Sequence, residues 1–360
     1  MKRRNNIWML LVALSSLAVG CNQQKPIESN TITNESTTVN TENKDEYFVF
    51  EPNGDGTCTV TDCRNAEEIS VPEYSPKGYM VTSVKFRRSN DKVRKITLPS
   101  TLTSVGYSCF SGWTSLEGIN LPNSIKTIDS QAFKGCTSLK DVTLPRELME
   151  LASYTFEGCT SLKDITLPKT LSILEPYAFE GCTALTSIQI PDGVETIGKY
   201  AFNGCSSLTE VNFPSKLKSI ENNAFQGCTK LNNVVLPETI ENLFAYSFSD
   251  CKALTSIRIP KNVRLVVAAF YGCDNLVDVT IDDGVEYIAN NAFKECAIKK
   301  IFIPSSVIFP GSRVFEGCPK DLAIYCEAKT KPENWNDEWN YISATEQFKT
   351  VFDSKREMAD

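Results

Sequence analysis

Cysteine is the residue with the most chemistry on offer in this chain. Nine of the 14 cysteines stand in register, at Cys136, Cys159, Cys182, Cys205, Cys228, Cys251, Cys273, Cys296 and Cys318, one every 22 or 23 residues. A thiolate can serve as nucleophile or metal ligand, and two thiols can form a disulfide, but each use needs a well-placed partner. The chain contains no His. That removes Ser-His-Asp and Cys-His arrangements, His-containing zinc sites and the commonest general base near neutral pH. No Cys-x-x-Cys pair is present to complete a metal set. Equal spacing along a repeat sets successive thiols one coil apart, beyond the roughly 3.5–4.5 Å between Cβ atoms that a bridge requires. The column therefore reads as buried free thiols, small hydrophobes filling a tight corner. Cys109, beside Phe110, reads as core. Cys58 and Cys63 are the better disulfide candidates, because a hairpin could bring them together.

Paired carboxylates are the other route to catalysis, and Asp274, Asp278, Asp282, Asp283 and Glu286 cluster in one repeat. Aligned with the other copies, Asp282-Asp283-Gly284 matches the corner Pro191-Asp192-Gly193, and Asp278 matches Asp141 and Asp164 on a strand surface. A glycosidase needs two facing acids in an enclosing cleft; these are turn and face residues. Asn53-Gly54-Asp55-Gly56 has the outline of a calcium loop without its remaining acidic ligands, so turn chemistry accounts for it. The expectation is a non-enzyme with no cofactor and no metal. Net charge is −7, or −10 once Lys2, Arg3 and Arg4 are removed with residues 1–20. An acidic chain with no basic stripe has nothing to attract phosphates, which argues against nucleic acid.

The elements that place these residues are set by the repeat itself. Phe110, Phe133, Phe156, Phe179, Phe202, Phe225, Phe248, Phe270, Phe293 and Phe315 recur at the same 22- or 23-residue step. One copy runs Leu162, Ile165, Leu167, Pro168, Leu171, Leu174, Ala178, Phe179, Gly181, Cys182. Its opening alternates apolar and polar residues, as a strand with one buried face does. Pro168 ends that strand where a missing N–H costs no ladder bond. Leu171-x-x-Leu174 is too short for a helix and reads as a second extended stretch, followed by a tight return. A single coil cannot offset the entropy of ordering it. Stacking can, because each coil covers its neighbours' apolar edges and pairs its strand with theirs.

The phrase Leu-x-x-Ile-x-Leu-Pro-x-x-Leu-x-x-Ile-x-x-x-Ala-Phe-x-Gly-Cys resembles the BspA-type leucine-rich repeat over roughly residues 93 to 318. The resemblance implies a mainly β, right-handed leucine-rich-repeat solenoid, here of about ten coils of 22–23 residues with parallel strands. It further implies a surface protein of a host-associated bacterium, involved in adhesion, with the strand face as its usual docking surface.

The ends read differently. Lys2, Arg3 and Arg4 precede an apolar run from Ile7 to Val19 that stops at Gly20-Cys21, a secretory signal too short to span a bilayer. Leu17-Ala18-Val19-Gly20-Cys21 resembles a lipobox, with Ala18 where a large aliphatic is usual. That resemblance implies cleavage before Cys21, lipid on its thiol and membrane attachment. Asn22, by resemblance to lipoprotein sorting patterns, gives no inner-membrane retention signal, so the expected location is the cell envelope, at the outer membrane or cell surface. The stretch after Cys21 is rich in Asn, Thr, Ser and Glu and reads as a flexible tether, reaching on the order of 25–30 Å. The expected division is signal peptide 1–20, tether 21–46, β N-terminal cap 47–92, solenoid 93–318, aromatic C-terminal cap 319–342 and a polar, fraying tail 343–360.

Outward strand positions are the candidate ligand face. One column reads Thr97, Asn120, Thr143, Thr166, Gln189, Asn212, Val235, Arg258, Thr280 and Phe302, flanked by Lys140, Asp141, Lys163 and Asp164. Expected to form one continuous sheet with few aromatics, it suits a polypeptide on a host or neighbouring cell. A second row, Tyr154, Tyr177, Tyr200 and Tyr246, is the alternative stripe. With Trp335 and Trp339, that row would serve a carbohydrate-capturing protein, although stacking between coils and end capping account for the same residues.

Overall fold

The computed structural model describes residues 48–358, apart from 262, 266, 344 and 345. The expected signal peptide, Cys21 and tether lie outside the described residues.

Each coil has three sides, each facing the matching side of the coils above and below. The first carries strands such as Ser187–Gln189, whose Ile188 points inward while Ser187 and Gln189 face solvent. This strand pairs in parallel, in register, with Glu210–Asn212 of the next coil. The second side carries two-residue strands such as Thr196–Ile197, and eight of these run unbroken from Glu150–Leu151 to Phe309–Pro310. The third is the return that ends in Gly-Cys. There Tyr177, Phe179 and Gly181 donate their N–H groups to the carbonyls of Lys199, Ala201 and Asn203, each at 2.8 Å. That pattern requires two left-handed residues per coil, met here by Tyr177 (φ 62°) and Gly181 (φ 69°). Where a side pairs, its interior backbone groups find partners in neighbouring coils.

Side chains on the axis follow the same translation. The ten phenylalanines form one buried stack with ring centroids 5.1–5.9 Å apart and planes within 14° of parallel. Beside it, every column cysteine donates its S–H to the carbonyl of a phenylalanine one coil earlier. These contacts run from 3.0 Å for Cys136 to Phe110 up to 3.4 Å for Cys251 to Phe225. The column is thus more than a set of space fillers: each thiol is a weak donor.

The parallel pairing does not stop where the repeat phrase stops. Glu68–Ser70 pairs with Lys95–Thr97 ahead of the first phenylalanine copy, and Ala323–Cys326 pairs with both Lys300–Ile303 and Lys349–Val351 after the last. The solenoid therefore has about 13 turns, against the ten read from the phenylalanine column. Lys349–Val351 lies in the stretch 343–360, whose polarity led to the expectation of a fraying tail. Instead the chain folds back across the last coils. Arg356 donates to the carbonyl of Ile281 at 3.0 Å and sits 4.8 Å from the Phe302 ring centre.

The first ladder is not the continuous sheet expected. It breaks at the coils of Ile165 and Val234 and again between Asp278–Ile281 and Lys300–Ile303, while the second side runs without a break from Glu150–Leu151 to Phe309–Pro310.

Both ends are sealed by aromatics. Trp113, standing where later copies have Cys, is fully buried between Phe86 (5.0 Å) and the edge of Phe110 (5.1 Å). At the other end Trp339 packs edge-on against Phe315, and Trp335 donates its indole N–H to the Val307 carbonyl at 3.0 Å. The expected hairpin forms from Phe48–Pro52 and Thr57–Cys63. Cys58 and Cys63 both lie on its second strand and remain free thiols. Five residues of extended chain hold them about 16 Å apart, which rules out the bridge considered above.

Candidate functional site

The outward column of the first ladder includes Asn120, Thr143, Thr166, Gln189 and Asn212, all exposed. The alternation that buries Ile119, Ile188 and Val211 turns these residues out. Thr143 donates its hydroxyl to Asn120 Oδ1 at 3.0 Å, and Asp164 accepts from the Thr186 hydroxyl at 3.3 Å. Lys140, Asp141, Lys163 and Asp164 stand exposed along the upstream edge of the same face. Shallow grooves follow this side, one lined by Arg94, Glu117, Asn120 and Lys140, another by Asp164, Thr166, Gln189 and Asn212.

Not every predicted member is available. Arg258 is clamped between Glu238, at 2.5 Å, and both carboxylate oxygens of Asp282, at 3.1 and 2.5 Å. Phe302 is buried beneath Arg356. The exposed polar column therefore runs from Thr97 to Asn212 and is interrupted where Val235 stands 72% exposed. The acidic cluster is likewise dispersed into ion pairs: Asp274 with Lys252, Asp282 with Arg258, Asp283 with Arg356. Among the described residues no group of three or more His, Cys, Asp or Glu is placed to hold a metal ion.

The thiols are chemically muted. Burial pushes Cys136, Cys205, Cys273 and Cys318 up to about 12, and holds the remaining column thiols well above their ordinary value. A nucleophilic Cys needs the opposite shift.

The tyrosine row does come together. Tyr154, Tyr177 and Tyr200 stack with centroids 4.4 and 4.9 Å apart and planes within 7°. Tyr246 stands apart, edge-on to Tyr271. A sugar platform needs an open ring face, and here both faces of Tyr177 and one each of Tyr154 and Tyr200 are spent within the row. Trp335 and Trp339 are buried in the cap and offer none. Sequence reasoning missed another aromatic pair on the second side, where Tyr287 and Phe309 stack at 5.0 Å with Arg264 over Tyr287. Their 22-residue separation was the available signal.

A profile of the BspA type leucine rich repeat region matches in six copies, over residues 81–209, 172–274 and 195–323. The chain belongs to this family. Among solved structures, this BspA-type chain is similar to a T. pallidum leucine rich repeat protein, with 28% identity, 54% of this chain and 91% of that chain covered, and a TM-score of 0.49. It is also similar to a leucine-rich repeat protein from Bacteroides ovatus, with 24% identity, 83% and 90% coverage, and a TM-score of 0.40. A leucine rich cell surface protein from Faecalibacterium prausnitzii gives 23% identity, 88% and 100% coverage, and a TM-score of 0.42. No curated protein matches.

Proposed function

We propose that this BspA-type protein is a non-enzymatic binding protein that docks a polypeptide on the first-ladder face, between Asn120 and Asn212. One observation carries the reading. Thr166, Gln189 and Asn212 line a groove with exposed hydroxyl and amide groups that bond to no other side chain among the described residues, while Tyr177 stacks on both Tyr154 and Tyr200 and Trp335 and Trp339 are buried. Side-chain amides both donate and accept, which suits the backbone of an incoming chain. Adhesion to a protein of a host or neighbouring cell is the role this supports.

The test is selection of peptide ligands against the full chain, in parallel with immobilised glycans. Replacing Thr166, Gln189 and Asn212 together by Lys should weaken peptide binding by at least about tenfold, the scale of losing one central contact. Retention on glycans that Tyr177→Ala abolishes would establish carbohydrate capture instead.

Display at the cell surface through lipid on Cys21 belongs to the same proposal, supported by the lipobox resemblance and the family. Cys21→Ser is expected to move the chain from the detergent phase to the aqueous phase in phase partition. Equal partition of both forms would rule out the anchor.

A further inference from the structure

The third side carries a feature that the strand-face reading leaves unused. In all ten copies the residue two before the phenylalanine is left-handed, with φ between 52° and 64°. Elsewhere it is Ser, Gln, Asn, Ala, Arg or the isolated Tyr246, but Tyr154, Tyr177 and Tyr200 fill it in three successive coils. Asn tolerates this backbone far better than a bulky aromatic does. The stack consumes the facing ring surfaces and leaves all three side chains partly exposed. Ring edges repel a cation, but hydroxyl oxygens accept hydrogen bonds from one.

One coil ahead of the stack, the chain shows what this surface holds. Lys134 places its ammonium 2.7 Å from Glu157 and 5.2 Å from the centre of the Tyr154 ring. Lys294 and Glu316 repeat the arrangement in the same column, at 2.9 Å: a cation in one coil, a carboxylate in the next. Glu180 is the exception. It occupies the carboxylate place one coil beyond Glu157, yet the coil before it supplies Glu157 where a lysine would be needed. Lys134 is already held by Glu157, and the column continues with the neutral Asn203 and Gln226. Lys199, next to Tyr200, forms no ion pair with Glu180 among the described residues. Burial first, then the nearby Glu157, raises the pKa of Glu180, against a smaller opposing pull from Lys134.

We propose that Glu180, with the hydroxyls of Tyr177 and Tyr200, is a seat for a lysine ammonium or arginine guanidinium of a partner polypeptide. It lies on a different side from the first-ladder face, so a partner that wraps the coil edge would meet both. The incoming cation would do for Glu180 what Lys134 does for Glu157.

Fluorescence anisotropy of a labelled peptide with three lysines spaced by glycines, titrated with the full chain at low salt, tests this directly. Glu180→Gln should weaken binding about three- to fivefold, and Tyr177→Phe, which keeps the stack and removes one hydroxyl, about twofold. Glu241→Gln makes the same charge change on the second side, away from both faces, and should shift binding by less than about twofold. Equal effects at Glu180 and Glu241 would mean diffuse attraction to an acidic protein and overturn the proposal, as would no measurable peptide binding.

Discussion

Phe202→Ala is expected to lower the unfolding free energy by about 3–5 kcal/mol, the upper range for truncating a buried aromatic. Phe202 is fully buried and stacks on both neighbours, at 5.3 Å from Phe179 and 5.1 Å from Phe225. The site cannot collapse to fill the space. Coil spacing on either side is fixed by backbone bonds, such as Phe202 N–H to the Ala224 carbonyl at 2.8 Å, so the cavity persists. A repeat protein's stability is a chain of nearest-neighbour terms, and a weak link in the middle should also split the unfolding transition into two. Phe315→Ala, near the C-terminal cap, should instead fray one end within a single transition. Guanidinium titration followed by circular dichroism measures both. A loss under about 1 kcal/mol at Phe202 would mean that the ring stack is incidental to the fold.

The second large effect is alkaline unfolding. The nine column thiols are raised by burial, to about 12 where the rise is moderate and further elsewhere. An unfolded thiol ionises near pH 8.5. A raised folded-state pKa means that the stabilisation is complete below the unfolded value and is lost as pH rises above it. Each thiol then withdraws about 1.4 kcal/mol per pH unit. Nine in concert withdraw roughly 12 kcal/mol by one unit above that point, comparable to the whole stability of a typical domain, about 5–15 kcal/mol. The protein should therefore hold steady from about pH 6 to 8 and unfold steeply between about pH 9 and 10 under reducing conditions. Cys58, Cys63, Cys109 and Cys326 are raised by burial as well, so replacing Cys182, Cys205 and Cys228 by Ala should flatten the pH slope by about one quarter. Far-UV circular dichroism against pH provides the measurement, and an intact solenoid at pH 11 would contradict the burial of free thiols.

The amino-acid order alone determined the coil and its core. Leu, Ile, Phe, Cys and Pro each hold one place per copy, and an inward position is specified by what its own coil must bury, so periodicity discloses it. The terminal turns escaped because pairing with a neighbour needs only a short strand in register, which Glu68–Ser70 and Lys349–Val351 provide without the phrase.

Outward residues obey a different logic. Whether Arg258 is free depends on Glu238 and Asp282 in the adjoining coils, and whether Phe302 is exposed depends on Arg356, 54 positions further along. Tyr177 offered a ring face on paper and spends both faces on Tyr154 and Tyr200. Composition and spacing decide what a coil buries because burial is dictated within the coil and by an identical neighbour. What the surface leaves unpaired is decided by contacts between different coils, and only the folded chain sets those.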